Sequence, residues 1–239
     1  MKIALLGYGR MGKAIEVIAK TRGHEIVAAI DKDNPNDNFN HADVAINFSV
    51  PSAAVDNITK ALHQSVPVVC GTTGWLERKT EIEQLCTEKN GAFLYASNFS
   101  LGVNILFAFN NKLAQTIGQY EQYRASMEEI HHTEKLDAPS GTAITLAEGI
   151  LPHSKQQSWK LVNEANEDDL AITAKREPNV PGTHTVTYTS ETDTISIEHI
   201  AHNRDGFALG AVLAAEWIVG KSGIFSMQDV LNITYSFLL

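Results

Sequence analysis

The most constraining feature of this chain stands at its start. Lys2 to Leu6, "KIALL", is a short apolar run suited to a strand buried on both faces, and "GYGRMG" follows at once. Next, "KAIEVIAKTRG" places Ile15, Ile18 and Ala19 at helical spacing and stops at Gly23, and a second strand, "HEIVAAID", ends in Asp31. A strand, a glycine turn, a helix and a strand closing on an acid form the dinucleotide-binding pattern in its proper context. Gly7 allows the tight turn, Gly9 lets backbone approach a pyrophosphate, and Gly12 lets helix and strand pack closely. The N–H groups at the helix start, with the macrodipole behind them, stabilise phosphate charge. An ordinary ligand-free turn in an α/β protein is the bland alternative.

Asp31 lies nineteen residues beyond Gly12 and can accept hydrogen bonds from the adenosine ribose hydroxyls, where a 2′-phosphate would meet a like charge. That alone favours NADH. Lys32 follows immediately and can swing onto a 2′-phosphate, so use of NADPH as well is expected.

The alternation continues. "ADVAINFS" reads as a strand ending near Ser49, "SAAVDNITKALHQ" as a helix, and "VPVVCGTTG" as a strand running into a loop. "RKTEIEQLCTEKN" reads as a helix and "AFLYASNFS" as another strand and loop. Strands alternating with helices imply a parallel sheet, and such sheets bind ligands beyond the carboxyl ends of their strands. Three loops meet that rule: Gly7 to Gly12, Gly71 to Gly74, and Ala96 to Phe99. Their small polar residues suit the nicotinamide end of a cofactor, or are plain turn residues.

After Ser100 the pattern changes. "GVNILFAFNNKLAQTIG" looks like an amphipathic helix, and "YEQYRASMEEIHH" alternates so that Tyr123, Ala125, Met127, Glu129 and His131 share one side of a strand. Adjacent His131 and His132 can face one pocket only if the chain bends there, as it does at strand ends. In "LDAPSGTAITLAEGI", Pro139 interrupts any preceding helix, Ser140 is a good N-cap, and Gly141 and Thr142 would open a helix. The N–H groups at that start, with Lys135 just upstream, suit a carboxylate-bearing substrate.

A histidine with pKa near 6.5 can give or take a proton at neutral pH, so His131 suits a general acid better than Lys135 does. A pair of surface histidines is the competing reading. A Schiff-base lysine would need an apolar pocket, and "TEKLD" around Lys135 is polar. No HExxH is present, and Glu128 and Glu129 beside the two histidines make no convincing ligand set, so no metal is expected.

Composition bounds the rest. A 239-residue chain, 44% hydrophobic and 20% charged, can bury a sizeable core as one large or two modest domains. A net charge of −9 argues against a general nucleic-acid binder. The two cysteines cannot form a disulfide framework or a structural zinc site, which points to a reducing compartment. Without a signal-peptide core or a membrane-length apolar run, the cytoplasm is the expected location, with no membrane partner.

These residues resemble the dihydrodipicolinate reductase family, also called 4-hydroxy-tetrahydrodipicolinate reductases, of the diaminopimelate route to lysine. The resemblance runs nearly end to end, through "GYGRMG", "GTTG", "ASNFSLGVN", "HHTEKLDAPSGTA", "VPGTH" and "SGIFSMQDVL". It implies hydride transfer from a nicotinamide to C4 of an unsaturated cyclic imine bearing two carboxylates, formed by loss of water, to give tetrahydrodipicolinate. His131 would donate the proton at the neighbouring carbon with Lys135 assisting. His132, Lys135 and the N–H groups of Gly141 and Thr142 would hold the carboxylates. The family assigns Gly7, Tyr8, Gly9, Arg10, Met11, Gly12, Asp31, Gly71, Thr72, Thr73, Ala96, Ser97, Asn98 and Phe99 to the cofactor, and Lys32 stands where some members carry an arginine for NADPH.

The implied fold is a Rossmann-type doubly wound parallel sheet, residues 1–99 and 204–239, with a second α+β domain, residues 100–203, for substrate binding and oligomerisation. The tail "FALGAVLAAEWIVG" has Phe207, Ala211, Ala214 and Ile218 at helical spacing and reads as core, and the resemblance implies that this end folds back onto the first domain. Residues near Ser100 and Arg204 are then candidate hinges for a closure that expels water.

This chain departs from the family where "VPGTHTVTYTSETDTISIEHIAHNRDGF" runs almost directly from one strand to the next through a hairpin turn at "SETD". The family assembles as tetramers through that region; a homo-oligomer is expected here, a tetramer or a dimer. "SWKLVNEANEDDLAITAKREPNVPG" is polar and acidic, and is expected to be irregular or weakly stranded. A different two-domain nicotinamide dehydrogenase and a cofactor-binding sensor without turnover are the competing functions; a sensor would have dispensable His131 and Lys135.

Overall fold

The computed structural model describes residues 1–32, 34, 38–39, 41–203 and 205–233. The chain divides into two compact units, Met1–Leu101 with Asp205–Leu239, and Gly102–Arg204. Arg204, one of the expected hinge positions, lies outside the described residues.

In chain order the elements are β1 (Lys2–Leu6), α1 (Arg10–Thr21), β2 (Glu25–Ile30), β3 (Val44–Asn47), α2 (Pro51–His63), β4 (Val68–Cys70), α3 (Lys79–Glu88) and β5 (Ala92–Tyr95). Then come α4 (Leu101–Ile117), β6 (Arg124–His131), α5 (Gly141–Ile150), β7 (Ser158–Leu161), β8 (Asp169–Arg176), β9 (Gly182–Thr189) and β10 (Thr194–Ala201). The chain closes with α6 (Asp205–Ile218), β11 (Gly223–Phe225) and α7 (Met227–Val230).

The first unit holds a six-stranded sheet in the order β11-β5-β4-β3-β1-β2, with every pair parallel. Both faces are covered, which is why "KIALL" is a continuous apolar run rather than an alternating one. Ile3 and Leu5 pack with Ile15 and Ala19 of α1 and with Ala208, Ala211 and Ala215 of α6. Ala4 and Leu6 pack on the opposite side with Ala54, Ile58 and Leu62 of α2 and with Ile82 of α3. The small residues of α6 let that helix lie close to the sheet, and β11 then adds a strand beyond β5 that three residues of sequence did not announce.

The second unit is a mixed five-stranded sheet, β10-β9-β6-β8-β7. β6 is central, antiparallel to β9 and parallel to β8. Ala125 and Met127 face α4 and α5, packing with Leu146, Ile150, Ile172, Val186 and Tyr188. The "SETD" segment turns the chain between β9 and β10, with the Ser190 N–H donating to the Asp193 carbonyl at 2.9 Å. The acidic stretch is more ordered than its composition suggests. β8 spans eight residues there, with Leu170 and Ile172 fully buried, worth roughly 2 kcal/mol each in area removed from water.

Asp169 opens β8 and is itself buried. The Ser158 hydroxyl donates to its carboxylate at 2.5 Å, the Asn166 N–H donates at 3.0 Å, and Lys160 lies 3.1 Å away. These donors, the serine hydroxyl first, hold its pKa down at about 2. Because the folded value is depressed, the stabilisation is full above the unfolded aspartate pKa of about 3.9 and is lost as pH falls through about 2. Asp169→Asn should therefore melt below wild type at neutral pH, with the gap closing in acid. A pH series of thermal melts checks this, and a gap independent of pH would contradict it.

Among the described residues no helix is long and apolar enough to cross a membrane.

Candidate active site

In the first unit the chemistry-bearing loops sit at the carboxyl ends of the parallel strands. Gly7 leaves β1 with φ +98°, and a Cβ there would fall 2.3 Å from the Phe48 carbonyl oxygen. A Cβ at Gly12 would fall 2.3 Å from the Gly7 carbonyl, so α1 starts hard against the turn. Gly9, by contrast, has nothing within 4 Å of its Cβ position and stands at the N-cap of α1. The loop is thus closed toward the protein at Gly7 and Gly12 and open at Gly9, which fits a pyrophosphate approaching the helix start.

Gly7, Gly9, Asp31 and Lys32 line one cavity of about 460 Å³, together with Phe48, Ser49, Asn57 and Lys60. Gly9, Arg10, Met11, Gly71, Thr72 and Thr73 line a neighbouring one of about 350 Å³. The Lys32 N–H donates to one Asp31 carboxylate oxygen at 2.8 Å. Tyr8 turns back along α1, its hydroxyl donating to Glu16, whose carboxylate also holds Lys20 at 2.7 Å. Neither cavity is lined by Ala96, Ser97, Asn98 or Phe99; Phe99 is buried in the core shared with α6.

Phe48 and Ser49 line both cavities, and sequence reasoning did not single them out for the cofactor. Their signal was available: they follow the carboxyl end of β3, where such sheets bind ligands. The Ser49 N–H donates to the Thr72 hydroxyl at 2.9 Å, tying the two loops together.

In the second unit, the buried face of β6 carries Ala125, Met127, Glu129 and His131, the alternation expected from the sequence. His131 is the last strand residue and is buried, whereas His132 lies past the strand and is half-buried. Lys135 projects from the following turn, its ammonium 2.8 Å from both carboxylate oxygens of Asp137. Arg176 of β8 pins that turn by donating to the carbonyls of Lys135, at 3.2 Å, and Asp137, at 2.6 Å. Ser140 caps α5, accepting from the Ala143 N–H at 3.2 Å, so Gly141 and Thr142 open the helix as expected. Gly141 is exposed and Thr142 half-buried. His131 at the end of β6, His132 and Lys135 in the turn after it, and Gly141 and Thr142 at the start of α5 thus follow one another along a single strand-turn-helix segment.

Burial pushes the His131 pKa down; Glu129 opposes that, while Lys135 and Arg176 add to it. His184 of β9 meets the His131 ring edge to face, centroids 5.0 Å apart, and burial with the nearby positive charges drops its pKa to about 3. His184 is therefore neutral at ordinary pH. Glu129, His131 and His184 each offer one donor atom within 4.8 Å of the others. The Arg176 guanidinium, 3.4 Å from the Glu129 carboxylate, opposes a dication there, and the cluster fits proton chemistry better.

A parallel sheet with a glycine cleft at its strand ends, and a second unit bearing a buried histidine beside a capped helix start, define a nicotinamide-dependent oxidoreductase. Family models described as dihydrodipicolinate reductase N-terminus and C-terminus match residues 1–99 and 102–231, and the chain belongs to that family. It is 56% identical over 235 residues to a 4-hydroxy-tetrahydrodipicolinate reductase of Christiangramia forsetii, covering 97% of this chain and 98% of the relative. A reductase of the same name from Alkaliphilus metalliredigens is 36% identical, covering 98% of this chain and 100% of the relative. Among solved structures, a dipicolinate-bound dihydrodipicolinate reductase from Paenisporosarcina shares the fold at a TM-score of 0.76 and 21% identity, covering 96% of this chain and 98% of that one.

Proposed function

We propose that this chain reduces the dehydrated form of 4-hydroxy-tetrahydrodipicolinate, with hydride to C4 and a proton to the neighbouring carbon. The product is (S)-2,3,4,5-tetrahydrodipicolinate of the diaminopimelate route to lysine. What carries this reading is the turn from His131 to Thr142, where a buried histidine, a lysine and a helix N-terminus stand together, in a chain 56% identical to a reductase named for that reaction. The related Paenisporosarcina reductase is described as dipicolinate-bound, in keeping with a planar cyclic dicarboxylate ligand.

Each residue then has a role. His131 donates the proton, with Lys135 assisting. His132, Lys135 and the N–H groups of Gly141 and Thr142 hold the two carboxylates. Lys135 is paired with Asp137, so an arriving carboxylate exchanges with that side chain rather than meeting a bare ammonium. Gly7 to Gly12, Asp31, Lys32, Gly71 to Thr73 and Ala96 to Phe99 bind the cofactor. A bound nicotinamide supplies the hydride. Both NADH and NADPH serve, since Asp31 suits ribose hydroxyls and Lys32, lining the same cavity, suits a 2′-phosphate. We place the enzyme in the cytoplasm as a homo-oligomer, a tetramer or a dimer. β10 is an edge strand with Ile195 and Ile200 exposed, which supports assembly.

The test is oxidation of NADH and of NADPH, separately, with the freshly made condensation product of pyruvate and aspartate semialdehyde. Substrate-dependent oxidation is expected with both, and binding of cofactor without any oxidation would move a sensor or a different dehydrogenase to the front. Lys32→Ala should raise KM for NADPH by about tenfold, one charge-assisted hydrogen bond, and leave KM for NADH unchanged. Equal changes with both cofactors would remove Lys32 from phosphate recognition.

A further inference from the structure

Glu129 is fully buried on the core side of β6, two residues before His131. A carboxylate is costly to bury without partners, and an apolar residue would pack there at less cost. Its partners come from four separate places in the unit. The Ser140 N–H donates to both oxygens, at 3.1 and 3.0 Å. Arg176 of β8 donates from Nη1 and Nη2 at 3.4 Å each. His131 Nδ1 lies 3.5 Å from Oε2, and Nε2 of His184 on β9 lies 3.8 Å from the same oxygen.

One carboxylate therefore ties together the proposed acid, the N-cap of α5 and the arginine that pins the Lys135 turn. On the other side of the imidazole stands Gly182, the first residue of β9. A Cβ there would fall 3.1 Å from His131 Nε2 and 3.3 Å from Cδ2. The ring sits between a carboxylate at one nitrogen and a backbone without a side chain at the other.

We infer that Glu129 is the positioning residue for the His131 acid, fixing the ring through Nδ1 and leaving Nε2, on the side that Gly182 keeps clear, to exchange the proton. The inference rests on the reduction proposed above. A carboxylate facing Nδ1 favours the tautomer that keeps its proton there and stabilises the imidazolium, so the proton given to substrate leaves from Nε2. At 3.5 Å the Nδ1 contact is electrostatic; catalytic hydrogen bonds tighten when substrate arrives.

His131 is the donor only while protonated, so activity is lost as pH rises through its pKa. The surroundings set that limb. Burial lowers the pKa most, Glu129 and Asp137 raise it, and Lys135 and Arg176 lower it. Neutral His184, its Nε2 3.2 Å from the Ser140 hydroxyl, fills the remaining side without adding a second cation.

The experiment compares kcat and KM against pH for wild type, Glu129→Gln, Gly182→Ala and His131→Gln. Glu129→Gln is expected to move the basic limb of kcat to lower pH by about one unit, with a fall of about tenfold above that limb. Its substrate KM should change less than kcat. A limb that stays in place in Glu129→Gln, with only thermal stability reduced, overturns the inference and leaves Glu129 structural. If Glu129→Gln does not fold, Gly182→Ala decides: a drop in kcat of about threefold or more with unchanged cofactor KM supports the ring geometry, and an unchanged kcat overturns it. Full activity in His131→Gln would instead defeat the underlying reading, a result distinct from an unmoved limb in Glu129→Gln beside an inactive His131→Gln.

Discussion

His131→Gln is expected to lower kcat by about a hundredfold or more, the usual cost of a lost general acid, while both nicotinamide cofactors still bind. Glutamine keeps a polar side chain of similar length at the end of β6 but cannot carry the proton. The site around it is held by other groups: the Glu129 carboxylate keeps the Ser140 N–H and Arg176, so the turn and the start of α5 should survive the substitution. The expected signature is a kcat loss that exceeds any change in substrate KM, since the lost interaction belongs to the transition state. Steady-state rates over a range of pH check it. The residual rate should also lose the basic limb expected of wild type.

Gly7→Ala should be the most damaging of the glycine-loop substitutions. The new Cβ would lie 2.3 Å from the Phe48 carbonyl oxygen, 2.6 Å from its carbon and 2.7 Å from Ser49 Cα, all backbone, at a φ of +98°. Neither the clash nor the dihedral can relax through a flexible side chain. Strained backbone and overpacking each cost about 1–3 kcal/mol, so a loss of several kcal/mol and of measurable dinucleotide binding is expected. Gly9→Ala provides the contrast. Its Cβ meets nothing in the protein, so the melting temperature should hold, yet the methyl would stand where a pyrophosphate must approach, and cofactor affinity should fall by about tenfold or more. Calorimetric melts with cofactor titrations separate the two, and equal stability losses in both variants would contradict the geometry.

The contrast between those glycines was legible because turn chemistry is local. The strand, turn, helix and second strand from Lys2 to Asp31 each carry their own periodicity, and the structure forms all four. The placement of His131 was legible for a related reason: alternation along β6 put it with Met127, and the strand ends at that residue. β8 was harder to read because the acidic run before it masks the inward pair Leu170 and Ile172, and because Asp169 is accommodated by Ser158 and Lys160 from β7. Three-residue β11 is shorter than any periodicity can register.

Glu129 shows what pairing adds to pattern. An acid in an alternating strand reads as solvated even when its neighbours on the same face are apolar. Only the register of β6, between β8 and β9, sets His184 opposite Glu129 and Arg176 opposite His131. The residues were visible in the sequence, but the strand order that gathers them depends on contacts across more than forty positions of chain. Arg176 and His184 belong to that part of the site, as does Gly182.

The most direct measurement is an isotope trace of the reaction. Wild-type protein is given the condensation product of pyruvate and aspartate semialdehyde with a nicotinamide cofactor deuterated at the transferable position, and the product is read by NMR. The account predicts deuterium at C4 of tetrahydrodipicolinate. Repeated with unlabelled cofactor in deuterium oxide, the label should appear at the neighbouring carbon, at a rate that collapses in His131→Gln. Cofactor oxidation without deuterium at C4, or the absence of any reduced product, would contradict it.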